Sequence, residues 1–219
     1  MSPKSFLLNE RLHGYLVEHS LPLDDVQRSL IAETQALGDV SGMQIAPEQG
    51  AFLTVLTAAL GVRSAVEVGT FTGYSALCIA RGLAAGGSML CCDISEEWTA
   101  IARRHWERAG VANLIELRLA PAAETLRGLP DTATIDLAFL DADKRGYRDY
   151  AEQLIRRLRP GGVLLVDNVL WHGAVVDADA DGDSDAAHIR AFNDWLAANH
   201  DVESVMLPIA DGVTLARKR

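Results

Sequence analysis

The feature that most constrains this chain is an alternation running from residue 65 to residue 167. Short apolar runs, AVEVG (65–69), SMLCCDI (88–94), IELRLA (115–120), IDLAFLD (135–141) and VLLVD (163–167), are separated by stretches with helical spacing. Those stretches are YSALCIARGL (74–83), EEWTAIARRHWERAG (96–110), a short one near 122–128, and YRDYAEQLIRRLRP (147–160). Strands joined through helices return parallel, and strands apolar on both sides need helices on both faces of the sheet. The ending breaks the rhythm. After the helical AAHIRAFNDWLAAN, the run VESVMLPIADGVTLARKR reads as two strands around an Ala-Asp-Gly turn, a terminal antiparallel hairpin. The first sixty residues carry helical spacing instead: LNERLHGYLVEHS, DDVQRSLIAETQALGD with Asp24 and Asp25 as N-terminal acids, and PEQGAFLTVLTAAL between Pro47 and Gly61. The expected fold is α/β, a doubly wound, mostly parallel seven-stranded sheet with a C-terminal antiparallel hairpin and an N-terminal helical cap. At 219 residues, one domain is expected, with residues 1–60 as cap and 61–219 as core.

Composition narrows the function. A formal net charge of −10 disfavours a protein that coats phosphate backbones, and it suits a site that gathers a cation. No apolar stretch is long enough to span a bilayer, and the opening MSPKSFLLNERLHGY lacks the apolar core of a secretory signal, so a cytoplasmic protein with no membrane partner is expected. Cys78, Cys91 and Cys92 fall in apolar patterns without metal-type spacing and read as reduced core thiols.

Sheets of this kind bind ligands outside the carboxyl ends of their strands. Asp93, Asp141, Asp167 and Asn168 all end apolar runs there, although desolvating a charge is costly. In EVGTFTGYS (67–75) a strand ends in a glycine turn that opens a helix, so backbone and helix N-terminus can meet a ligand. The spacing G-x-x-x-G differs from the G-x-G-x-x-G of dinucleotide binders. Asp93 closes the next strand, where a carboxylate can accept ribose hydroxyls, and Glu67 favours a ligand with a free amino group. Asp141, Asp167 and Asn168 are hard oxygen donors, suited to Mg²⁺ or a similar ion. Singly, Asp141 and Asp143 read equally well as helix caps and Asp167-Asn168 as a turn; two neighbouring strands ending in acids favour a site. Asp177, Asp179, Asp181 and Gly182 imitate the start of an EF-hand loop, but the twelfth position is His188, so a solvated loop is expected. Trp106 and Trp195 read as packing; Trp98 and Trp171 either line the site or pack beside it.

EVGTFTGYS, CCDIS, APAAETL, FLDADKRGY and VDNVLWHG, in this order, resemble the cation-dependent O-methyltransferases: plant caffeoyl-CoA O-methyltransferases, their bacterial relatives and, more distantly, catechol O-methyltransferases. The resemblance spans residues 40 to 219 and implies a Rossmann-like methyltransferase fold, with S-adenosylmethionine (SAM) as methyl donor. It implies a bacterial-type member acting on a small catechol-like aromatic acceptor, with Mg²⁺, or another hard divalent ion such as Mn²⁺ or Ca²⁺. By matched position, Glu67, Gly69, Thr70 and Ser75 would line the methionine portion of SAM. Asp93 would hold the ribose, Ala122 would border the adenine, and Asp143 would meet the amino acid end. Met43 and Gln44 match a further cofactor-contacting stretch. Asp141, Asp167 and Asn168 would hold the metal, with Lys144 as base and Asp141 beside it. His172 replaces an asparagine that plant members use near the substrate, a departure that bears on caffeoyl-CoA itself. The family commonly forms homodimers, which the apolar N-terminal helices could serve.

The chemistry answers why charges end these strands. A phenol with pKa near about 10 is mostly protonated at neutral pH. A bound cation favours its oxyanion, and two adjacent hydroxyls can chelate that cation and fix one oxygen against the methyl. Lys144 near the cation is placed to act as a base. Competing readings are methylation of a hydroxylated tRNA base by the same fold, against which the acidic charge argues; a nucleotide-dependent oxidoreductase, disfavoured by the glycine spacing and Glu67; and a non-catalytic relic, disfavoured by the intact acidic set.

Overall fold

The computed structural model describes residues 8–177 and 182–219. Among these, the strands are β1 Ser64–Val68, β2 Ser88–Asp93, β3 Ile115–Leu119, β4 Ile135–Leu140, β5 Leu158–Val166, β6 Val202–Leu207 and β7 Val213–Lys218. They form one seven-stranded sheet in the order β3-β2-β1-β4-β5-β7-β6. Strands β1 to β5 pair in parallel, and β7 enters antiparallel between β5 and β6. The helices are α1 Glu10–Glu18, α2 Asp25–Gln35, α3 Pro47–Ala59, α4 Tyr74–Gly82, α5 Glu96–Arg108, α6 Ala122–Gly128, α7 Tyr147–Arg157 and α8 Asp185–Ala197. The doubly wound sheet, the terminal hairpin and the N-terminal helices are those the sequence pattern implied.

Helix starts follow local chemistry. Asp24 and Gln27 form a reciprocal capping box at α2, Pro47 opens α3, and the Ser95 and Ser184 hydroxyls accept backbone N–H groups at α5 and α8. Two core layers sandwich the sheet. On one side Cys91, Leu137, Phe139 and Leu165 pack with Leu53, Tyr74, Leu77 and Trp106. On the other, Val66, Val68, Leu140 and Val166 pack with Leu126, Leu154 and Phe192. Each fully buried large side chain of this kind contributes about 1.5–3 kcal/mol.

The period-two alternation of a strand decides where the acids go. Val66 and Val68 belong to the second layer, so Glu67 belongs to the first; continuing the parity of Cys91, Phe139 and Leu165 gives Asp93, Asp141 and Asp167 the same side. The register keeps the strand ends level. Val68 pairs with Cys92 and Leu140, and Leu140 with Val166. Backbone bonds extend this row: Gly69 N to Cys92 O, Asp141 N to Val68 O and Asp167 N to Leu140 O.

Two boundaries differ from the sequence reading. The helix expected to run to residue 160 stops at Arg157, and Leu158 already pairs with Ile135 as strand. Pro160 has no N–H to donate and biases Arg159 away from helix, and Gly161 at φ +79° turns the chain. Helix α2 stops at Gln35, short of the expected residue 39; Gly38 at φ +77° then begins a 3-10 turn over Gly38–Met43.

The helical N-terminus is tied to the core at both ends of α4. Thr34 donates to the Thr72 hydroxyl (2.8 Å), and Arg81 pairs with Asp24. The three cysteines are buried and free, as expected. No helix among the described residues is long and apolar enough to cross a membrane. The first seven residues, read above for a leader, and Asp179 and Asp181 of the acidic run lie outside the described residues.

Candidate active site

The turn after β1 is held by close packing of chain on chain. A Cβ on Gly69 (φ +88°) would lie 1.8 Å from the Asp141 carbonyl oxygen. A Cβ on Gly73 (φ +84°) would lie 2.5 Å from the Ala102 Cβ, and the Trp106 indole donates to the Gly73 carbonyl (3.0 Å). Both glycines let one part of the protein approach another closely. Asp93 organises the same turn. One of its oxygens accepts from Thr70 N (2.9 Å) and Phe71 N (2.8 Å), the other from Ile94 N (2.7 Å) and Ser95 N (2.8 Å).

Glu67 sits behind this turn, fully buried. Neither carboxylate oxygen has a hydrogen-bond partner in full geometry, nor has the buried Thr70 hydroxyl. Burial pushes its carboxyl up to about 7; Ser75, Thr70 and Cys91 lie close enough to pull the other way, and the Asp141 charge adds to the rise. A buried carboxylate without donors costs free energy, which a ligand bearing a cationic donor would offset. Ser75, in the first turn of α4, is buried beside it.

Strands β4 and β5 end in a charge network. The Lys144 ammonium donates to Asp141 Oδ1 (3.1 Å), Asn168 Oδ1 (2.8 Å) and the Tyr147 hydroxyl (2.6 Å), which uses all three of its protons. Tyr147, fully buried, donates in turn to the Asp167 carbonyl (3.1 Å). Burial raises the Asp141 carboxyl against the pull of Lys144. Burial and the neighbouring Asp141 charge push Asp167 up to about 7, while Gln49 and the Asn168 N–H pull it down. Asn168 holds φ +54°, a left-handed conformation that asparagine tolerates. The Trp171 ring lies over the same ammonium, 5.6 Å from it. Asp141, Asp167 and Asn168 thus converge as two carboxylates and an amide oxygen, and Asp141 and Asn168 already hold one positive charge. Among the described residues no three His, Cys, Asp or Glu side chains cluster as a metal site; the third oxygen here is an amide.

The remaining expected residues are more dispersed. Asp143 caps the turn before α7 through Gly146 N (2.9 Å) and accepts from Tyr150 (2.8 Å). Ala122 is the first residue of α6, packed against the second core layer. Met43 is exposed at the end of the 3-10 turn, and the adjacent Gln44 has a buried side-chain oxygen without a partner. Trp106 packs, as expected, and Trp98 lies edge-on to Phe71 beside the turn. Sequence reasoning missed three residues. Tyr147 and Gln49 looked like ordinary helix residues, though a buried glutamine in an apolar helix is a signal. Asp211 looked like a hairpin turn residue, yet its Oδ1 accepts from His172 N (2.6 Å) and its charge reaches Asp141.

An open pocket of about 500 Å³ adjoins this network, lined by Leu170, His172, Gly173, Val176, Ala210 and Asp211. A second cavity, about 360 Å³, lies at the amino ends of β1, β2 and β4 and contains none of the expected site residues.

A level row of strand-end acids beside a glycine turn, on a doubly wound sheet ending in an antiparallel hairpin, defines a Rossmann-like methyltransferase. A family model described as O-methyltransferase matches residues 17–219. A probable caffeoyl-CoA O-methyltransferase of Dictyostelium discoideum is 38% identical over 213 residues, covering 96% of this chain and 93% of the relative. An O-methyltransferase from Bacillus cereus, solved in complex with SAH, superposes with a TM-score of 0.86 at 30% identity, covering 95% of this chain and 97% of that one. TomG from Streptomyces achromogenes, solved with SAM, gives 0.85 at 30% identity, covering 95% and 96%. The chain belongs to the SAM-dependent O-methyltransferases of the caffeoyl-CoA and catechol family.

Proposed function

We propose that this enzyme, as a bacterial-type member of the family, moves the methyl group of SAM to a hydroxyl of a small ortho-dihydroxy aromatic acceptor, with a hard divalent cation such as Mg²⁺. The carrying observation is the Lys144 ammonium held between Asp141 and Asn168, with the buried Asp167 carboxylate close enough to feel the Asp141 charge. Oxygen donors suit a hard cation, and two crowded acids that burial drives toward neutrality would gain from one. The names of the similar proteins, caffeoyl-CoA O-methyltransferases among them, support an aromatic acceptor.

When bound, SAM supplies an electrophilic methyl on a sulfonium and the cation favours the acceptor oxyanion. The chain does the rest. Glu67, with both oxygens unpartnered, would take the amino group of SAM, and Thr70 offers a hydroxyl beside it. Ser75 and Gly69 would border the same portion, Asp143 its amino acid end, Asp93 the ribose side, Ala122 the adenine, with Met43 and Gln44 closing over from the N-terminal segment. Asp141, Asp167 and Asn168 would hold the cation. Lys144, as the neutral amine, would take the acceptor proton at Nζ, positioned by Tyr147.

The helical N-terminus and the α/β core work in this reading as one domain in the cytoplasm. Leu12 and Tyr15 on α1 are exposed, and α1 buries none of its residues, which supports a homodimer through this face. Net charge keeps nucleic acid an unfavoured partner. The test is a methyl-transfer screen over caffeic acid, caffeoyl-CoA, simple flavonoids and tRNA carrying a hydroxylated base, with and without EDTA. Metal-dependent product from a catechol is expected; product from tRNA alone would replace this reading.

A further inference from the structure

The turn that follows the proposed metal-binding pair is strained. Trp171 (φ +46°) and His172 (φ +52°) both hold the left-handed conformation ahead of Gly173 (φ +90°). For non-glycine residues each such conformation costs about 1–3 kcal/mol and persists only where the surroundings impose it. The β6–β7 hairpin turn, forty residues further on, imposes it. The Asp211 carboxylate accepts from His172 N (2.6 Å) and the Asp211 carbonyl from Leu170 N (3.0 Å). Gly212 O accepts from Val169 N (3.3 Å), and a Cβ on Gly212 would lie 2.5 Å from Leu170 Cγ, so the two turns are in direct contact. The side-chain bond that Asp211 accepts reaches His172, one of the strained residues, directly. The shape of that turn sets two things: the Trp171 ring over Lys144, and the pocket wall formed by Leu170, His172 and Gly173.

We propose that Asp211 is a positioning residue for the methyl acceptor, acting by holding the Leu170–Gly173 turn in the shape that walls the acceptor pocket. This rests on the function proposed above. Asp211 takes no part in methyl transfer itself. It determines which acceptors fit between Trp171 and the hairpin, and it leaves the SAM side, built on β1 and β2, untouched.

Asp211→Ala and Asp211→Asn separate the possibilities, because the asparagine side-chain oxygen can still accept from His172 N. Steady-state rates are measured with caffeic acid and with catechol at saturating SAM and Mg²⁺, alongside SAM affinity by calorimetry. Asp211→Ala should raise the acceptor KM about tenfold and change the ratio of kcat/KM between the two acceptors, since small misplacements of a positioned substrate are costly. SAM affinity should stay unchanged, and Asp211→Asn should restore both KM and the ratio. Should Asp211→Ala fail to fold, Asp211→Ser gives the same reading. Unchanged acceptor KM and ratio in the alanine variant would overturn the inference, as would SAM affinity falling in step with KM, or an asparagine variant as impaired as the alanine one. Wild-type enzyme that turns over no catechol would overturn the proposed function and this inference together; wild-type turnover with an indifferent Asp211→Ala overturns only the inference.

Discussion

The two halves of the site are built by opposite means. On the β1–α4 side the backbone is fixed completely, with glycines at van der Waals limits and Asp93 accepting four amides, while Glu67 and Thr70 keep buried polar atoms without partners. On the β4–β5 side a central cation satisfies its neighbours: Lys144 spends every proton on Asp141, Asn168 and Tyr147, and only at the edge do Gln49 Nε2 and Asp211 Oδ2 lack partners among the described residues. The first half is preorganised for a ligand that brings its own donor. The second is balanced by an internal cation, so whatever binds there must compete with Lys144.

Breaking the second half should have the largest effect. Asp141→Ala or Asp167→Ala should lower metal-dependent turnover by on the order of a thousandfold, the several kcal/mol that cation stabilisation of a developing oxyanion supplies. Calorimetry should show SAM binding retained, which separates the halves; loss of SAM binding in step would merge them.

Gly69→Ala tests how tightly the halves are joined. Its Cβ would collide with the Asp141 backbone at a positive φ. A loss of about 3 kcal/mol in urea unfolding, or failure to fold, is expected.

Glu67→Gln probes the unpartnered half through pH. The Glu67 carboxyl is raised from 4.5 to about 7, so the folded state holds its proton more tightly than the unfolded chain does. That stabilisation is complete below pH 4.5 and is lost as pH rises through 7, about 3 kcal/mol in all. Asp167, raised to about 7, contributes with the same sign. Ligand-free enzyme should therefore lose stability between pH 5 and 8, and Glu67→Gln should flatten that slope while weakening SAM binding roughly tenfold to a hundredfold. A slope unchanged in the variant would assign it to other groups.

The smallest effect sharpens the idea of competition. Lys144→Met should abolish the base yet tighten Mg²⁺ binding by roughly tenfold, because Asp141 and Asn168 lose their resident cation. Weaker Mg²⁺ binding in this variant would mean that Lys144 supports the cation instead of opposing it.

Much of this organisation was legible in the sequence because it depends on local rules. Apolar runs ending in acids placed Asp93, Asp141 and Asp167 at strand ends; that they share one side of the sheet came from the two core layers. The beginning of β5 was not legible: residues 158–160 were read as the end of the helix, whereas Leu158 pairs with Ile135 as strand. The roles of Tyr147 and Asp211 were hidden for a related reason. Each acts through contacts across the fold, Tyr147 to Asp167 O and Asp211 to His172 N, which no spacing rule encodes. Asp143 looked like a ligand by resemblance and a cap by position; the structure gives it the cap, and its place at the amino acid end of SAM remains part of the proposal.

The most direct test is a crystal grown with SAH, caffeic acid and Mn²⁺, read by anomalous diffraction at the manganese edge. The account predicts a peak among the Asp141, Asp167 and Asn168 oxygens, with Lys144 turned from them and the SAH amino group against Glu67. An absence of manganese there, with Lys144 still bonded to Asp141 and Asn168 beside a bound acceptor, would contradict it.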